Sequence, residues 1–128
     1  MEHLDTKQKV LVAIYLEYQK DLPEMNKNID ASILELSDDV FLIAIRKLHN
    51  EGLITGGRFY EHPLKGVAST EYIMMTKAGI EYVESKLNVL PTLNGEGKIK
   101  EVSKKLAEWG YNELKDFTVK VIAEIVKG

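Results

Sequence analysis

Near the start of the chain, Val10-Leu11-Val12-Ala13-Ile14-Tyr15-Leu16 forms an unbroken apolar run that leaves few folds open. Asp5 and Gln8 stand ahead of it at capping-box spacing, which predicts a helix starting at Asp5. On that helix Val10, Leu11, Ile14 and Tyr18 share one face, while Val12 and Leu16 lie on the other side. A helix that is apolar nearly all round has to be covered from more than one direction. A single core layer beneath it is not enough. The run is also far short of the ~20 residues that a membrane span needs.

The remaining elements follow from local signals. Pro23 ends or follows the first helix. Ile29, Ile33 and Leu34 predict a second helix of about two turns within Asp30–Leu36. Ser37 is a good N-cap for a third, with Asp38 and Asp39 placed where the helix dipole favours negative charge. Phe41, Ala44, Ile45 and Leu48 then recur at amphipathic spacing, and Gly52 stops the helix in the C′ position. Leu53-Ile54-Thr55 opens a strand, Gly56-Gly57 permits a bend, and Arg58-Phe59-Tyr60 resumes it. Glu61–Ser69 reads as a loop and Thr70–Met75 as the returning strand, which makes a hairpin. Thr76 caps a fourth helix with Ile80, Val83 and Leu87 on one face.

A connection follows at Leu90–Gly97, where Pro91, Gly95 and Gly97 cluster. It divides the chain into a module over residues 1–90 and a helical extension over 91–128. Beyond it, Ile99, Val102, Leu106 and Trp109 form one stripe, and Leu114, Phe117, Val121, Ile122 and Ile125 another, with Gly110 between them. Two helices or one bent helix both satisfy this pattern. The second stripe either folds back on the first helix, covering Val12 and Leu16, or meets a second chain, and both can hold together. Leu114, Phe117, Val121 and Ile125 are therefore protein-interface candidates, and a homodimer is one expected partner state.

Composition narrows the function classes. The chain has no Cys, which removes disulfides, thiolate metal sites and cysteine nucleophiles. Met1-Glu2-His3-Leu4-Asp5 is polar, and the run behind it lacks a basic flank, so a cytoplasmic protein is expected. His3, His49 and His62 are dispersed without ligand spacing, so no metal is expected. Gly95-Glu96-Gly97-Lys98 lacks the full phosphate-loop pattern and reads as linker. Met74-Met75 and the Tyr72/Tyr82 pair read as core and edge packing. No nucleophile–base pair is found, so neither enzyme activity nor a cofactor is expected.

The order is helix, short helix, helix, hairpin, helix. That is the order of a winged helix, in which the third helix enters the major groove and the hairpin is the wing. The fold class read from the sequence is therefore α+β, mainly helical: a winged helix-turn-helix with a C-terminal helical extension. Phe41–Ile54, with its Leu48-His49-Asn50-Glu51-Gly52-Leu53-Ile54 step into a strand, carries the resemblance, as does Met75-Thr76-Lys77-Ala78-Gly79. Over Ser37–Ile54 and Thr70–Leu87 the chain resembles the YjcQ-like family of bacterial and phage winged-helix proteins. The resemblance implies a winged-helix fold and a DNA-binding or regulatory role, and it implies no catalytic residues.

The third helix has two faces. With Phe41 at 0° and about 100° per residue, Ala44, Ile45 and Leu48 stay on its side. Asp39, Ile43, Arg46, Lys47 and Asn50 fall opposite. Arg46, Lys47 and Asn50 suit phosphate or base contact, and Arg58 and Lys65 would add wing contacts. Asp39 and Ile43 do not suit DNA. Residues 1–90 hold 10 Lys+Arg against 14 Asp+Glu, net −4, and 91–128 hold 7 against 6, net +1, which reproduces the chain's −3. The acidity thus lies in the part that would touch nucleic acid. The leading expectation is a winged-helix DNA-binding-like protein acting on double-stranded DNA as an accessory transcriptional regulator. The rival is a winged-helix protein-interaction module, motivated by exposed Ile43, Leu42 and Asp39, with an unidentified protein partner. A third reading is a small-molecule-gated regulator with a pocket between wing and tail.

Overall fold

The computed structural model describes residues 3–61 and 66–127. Helix α1 covers Thr6–Tyr18, α2 Met25–Asn28 and α3 Asp38–Asn50. Four short strands follow: β1 (Ile54–Thr55), β2 (Arg58–Glu61), β3 (Gly66–Ser69) and β4 (Met74–Met75). Helices α4 (Lys77–Leu87), α5 (Gly95–Trp109) and α6 (Asn112–Lys127) complete the chain. The architecture is mainly helical with small antiparallel strand pairs, an α+β arrangement.

Helix α1 is the hub. Its capping box is formed: Asp5 Oδ1 accepts from the Gln8 amide at 2.8 Å, and Gln8 Oε1 accepts from the Asp5 amide at 2.8 Å. Every residue from Val10 to Glu17 is buried. The covers come from several directions, since α2, α3, α4, β4 and α6 all pack on α1. The second cover is thus supplied within the chain. Leu114, Phe117 and Val121 are buried in the same core as Leu11 and Ile14. Of the expected interface residues on the tail, these three are thus packed within one chain, and Ile125 is packed partly buried at the edge of that core. The tail is two helices, and Gly110, at φ +81°, makes the break.

Helix α3 begins as expected. Ser37 Oγ accepts from the Val40 amide at 3.2 Å, and Phe41, Ala44, Ile45 and Leu48 are its buried stripe. Its end is a Schellman closure: Gly52 adopts φ +74° while the Gly52 and Leu53 amides donate to the His49 and Leu48 carbonyls. Glycine is needed there because a side chain is strained in the left-handed region.

The same closure explains the first correction. Asp30–Leu36 is not a two-turn helix. Asp30 Oδ1 caps the Ile33 amide at 2.8 Å, but Glu35 turns left-handed at φ +59° one turn later. The Leu36 amide then donates to the Ala31 carbonyl at 2.8 Å and the segment stops. The assigned helix lies earlier, at Met25–Asn28, held by a tertiary contact in which Asn28 Nδ2 donates to buried Glu17 Oε2 at 3.1 Å.

The hairpin is made of two ladders. Ile54 and Thr55 pair with Met75 and Met74, and Arg58–Glu61 pair with Ser69–Gly66. The returning strand therefore starts at Gly66, inside the expected loop, and is interrupted before Met74. Thr70 is the cause. Its buried hydroxyl lies within hydrogen-bonding distance of both the Met25 carbonyl (3.1 Å) and the Ile29 carbonyl (3.3 Å), which pulls the chain off the ladder. Met75 is buried while Met74 and Tyr72 are exposed, so only part of the expected edge packing forms.

Thr76 caps α4 by accepting from the Gly79 amide at 3.0 Å, and its hydroxyl donates to the Gly52 carbonyl at 2.6 Å, joining the end of α3 to the start of α4. Gly79 lets α4 sit on Leu53, because a Cβ there would run into the Leu53 carbonyl. Helix α5 starts at Gly95, within the expected linker, because Asn94 Oδ1 accepts from the Gly97 amide at 2.8 Å.

Candidate nucleic-acid and protein interface on α3

The buried stripe of α3 fixes what its other face shows. Arg46, Lys47 and Asn50 are exposed together on that face, and so are Asp39, Val40 and Ile43. Ile43 is 49% exposed and Val40 44%, high values for β-branched residues on a folded helix. Leu42 is only half-buried, so it contributes less than expected. Val40 is the member that the sequence reading missed. It lies three residues before Ile43, on the same side of the helix, and that spacing was the available signal.

Charge is graded along this face, with Asp39 in the first turn and Lys47 in the last. Both ends complement the helix dipole. Beside the face runs a groove of about 320 Å³ between the start of α1 and α3, lined by Thr6, Lys7, Val40, Ile43, Ala44 and Lys47. Lys7 pairs with Glu51 at 2.8 Å and ties α1 to the end of α3. The Glu51 carboxylate holds the Lys7 ammonium above its usual range, against a smaller opposing effect of burial.

The wing candidates separate. Arg58 is exposed at the start of β2, paired with Ser69 on β3, and β3 packs against α3. Its guanidinium lies 4.6 Å from the ring centroid of Tyr72, which is 53% exposed. Tyr72 thus stacks with the cation it was not expected to touch. Lys65 and His62 lie outside the described residues.

A second polar system sits at the far end of the molecule. Glu17 Oε2 accepts from the Glu24 amide at 2.9 Å, and Glu17 Oε1 pairs with Lys20 at 3.0 Å. Lys20 also pairs with Glu124 of α6. Burial works against the charge on Lys20, but Glu124 and Glu17 outweigh it and raise its pKa. The same contact holds the Glu124 carboxyl below its ordinary 4.5. Lys20 and Glu124 border an open cleft of about 540 Å³ between the end of α1, the start of α5 and the end of α6, with Asp21, Glu24 and Glu96 also on its walls. The cleft is lined by these helices and not by the hairpin, so it is not the wing–tail pocket of the third reading.

Buried Glu84 accepts from the Tyr15 hydroxyl at 2.8 Å and pairs with Lys98 at 2.7 Å, tying α1, α4 and α5 together. Tyr111 sits where α5 turns into α6, and its hydroxyl accepts from the His3 and Leu4 amides at 3.0 and 2.8 Å. His3 stacks on Trp109 with centroids 4.2 Å apart. These networks fasten helices to one another.

Among the described residues no group of three or more His, Asp or Glu is placed to hold a metal ion. No helix among them is long and apolar enough to cross a membrane. Comparison with family models, curated proteins and solved structures gives no match.

Proposed function

We propose that this chain is a winged-helix module of the YjcQ-like kind that lays the outer face of α3 on double-stranded DNA. It acts as a cytoplasmic accessory transcriptional regulator of bacterial or phage type, without enzyme activity. The observation that carries the reading is the joint exposure of Arg46, Lys47 and Asn50 on a helix whose opposite stripe is locked in the core. Arg and Lys on such a face neutralise phosphates, and Asn and Arg can pair with base edges. The antiparallel hairpin that follows α3 and carries exposed Arg58 occupies the wing's place in the order of elements.

The experiment is titration of labelled duplex DNA at about 50 mM salt, where phosphate-driven binding is strong. Binding should weaken steeply with salt, and the Arg46→Ala/Lys47→Ala pair should weaken it further and flatten the salt slope by about 2. No shift with protein in the high micromolar range would sink the reading.

A second reading, a protein-interaction module, is favoured by exposed Val40 and Ile43 beside the α1–α3 groove. On it, Ile43→Asp disrupts a complex while Arg46→Ala does little. The reverse ranking rejects it.

A further inference from the structure

We propose that α3 pairs antiparallel with α3 of a second copy of this chain, around a two-fold axis at Ile43. The pattern is Asp39, Ile43, Lys47, with acid four residues before the centre and base four residues after it. At 1.5 Å rise per residue each charge lies about 6 Å from the level of Ile43, on opposite sides. A two-fold axis there puts Asp39 of one copy level with Lys47 of the other, twice over. Arg46 of the second copy falls on the same side of the contact as Asp39. Successive steps of about 100° place Asp39, Val40, Arg46 and Lys47 all within about 60° of Ile43, so they face the second copy together. The antiparallel arrangement also sets the acidic, positive-dipole end of one helix beside the basic, negative-dipole end of the other.

All of these residues are exposed, and Ile43 and Val40 supply the apolar centre that a contact of this kind needs. The occupant follows from charge. A face with acid at one end and base at the other is complementary to itself reversed. Duplex DNA, in contrast, presents one sign throughout and gives Asp39 and Ile43 no use. The other broad apolar stripe, on α6, is not available, because Leu114, Phe117 and Val121 are already buried within the chain. One helix face per copy is a small contact, so the dimer is weak and transient. The pairing stands without the DNA reading. If that reading holds as well, the dimer masks the DNA-binding face.

The test is sedimentation equilibrium of the full chain from about 10 µM to about 1 mM, without DNA. Wild type should show a monomer–dimer equilibrium that weakens with salt. Asp39→Lys and Lys47→Glu should each weaken it about tenfold, through like charges placed opposite one another. Mixing the two variants should restore association, because each supplies the charge the other lacks. That rescue also shows that both variants are folded. A wild type that stays monomeric to about 1 mM overturns the proposal. So does a dimer that both charge reversals leave unchanged, or one that the mixture does not restore. A missing DNA complex with an intact dimer rejects only the DNA reading.

Discussion

Helices α1 and α3 have the same length, 13 residues, and opposite uses of it. Helix α1 buries everything from Val10 to Glu17, including a tyrosine and a glutamate, while α3 buries only Phe41, Ala44, Ile45 and Leu48. A helix packed from several sides has no face left for a ligand, so its polar groups serve as fasteners. A helix held by one stripe leaves the remainder of its circumference to solvent or a partner. The proposed functions therefore centre on α3, with Arg58 of the hairpin beside it, and stability rests disproportionately on α1.

Substitutions can break or sharpen this contrast. The largest effect is expected for Ile14→Ala, a fully buried truncation, at about 4 kcal/mol by denaturant unfolding. Leu16→Ala, on the other side of the same helix, should cost nearly as much. If only one side of α1 mattered, the all-round cover would be wrong. Next, Glu17→Ala should cost roughly 3 kcal/mol, because it takes the acceptor from the Glu24 amide and from buried Asn28 Nδ2 and leaves Lys20 with Glu124 alone.

Tyr15→Phe should cost about 1.5 kcal/mol and carries a pH signature. Burial first, and then the bond to Glu84, hold the folded phenol protonated well above its ordinary 10.0. The unfolded chain ionises at that ordinary value, so the contribution is complete below pH 10.0 and is lost as pH rises beyond it. Melting temperatures from pH 8 to 11 should fall less steeply in Tyr15→Phe than in wild type. In α3, Gly52→Ala should cost about 1 kcal/mol through its left-handed backbone. Smallest of all, Ile43→Asp should change stability by no more than about 0.5 kcal/mol. A large loss there would mean that the outer face of α3 is covered in the monomer.

What could be read in advance was local. The caps at Asp5, Ser37 and Thr76 and the stop at Gly52 each depend on a few neighbouring residues, and all form. The misreadings came from two sources, local turns and caps that residue type does not announce and a distant contact that overruled local pattern. Ile29, Ile33 and Leu34 have helical spacing, but left-handed Glu35 ends the turn with no glycine to announce it. The hairpin is interrupted at Thr70 by carbonyls more than forty positions earlier. Gly95 and Gly97 look like loop residues until the Asn94 side chain caps them into a helix. The α3 face was legible for Arg46, Lys47, Asn50 and Ile43, since periodicity alone assigns them outward. Tyr72 beneath Arg58 was not, because no spacing rule links residues across a hairpin with two ladders.

The cover that α6 places on α1 has a consequence in time. The two partners lie about a hundred residues apart, so at a synthesis rate of roughly 5–20 residues per second, α1 leaves the ribosome several seconds before α6 exists. During that interval an apolar helix has one flank bare. Release of the chain after Leu90 would make the interval permanent, and such a fragment should aggregate where the full chain does not.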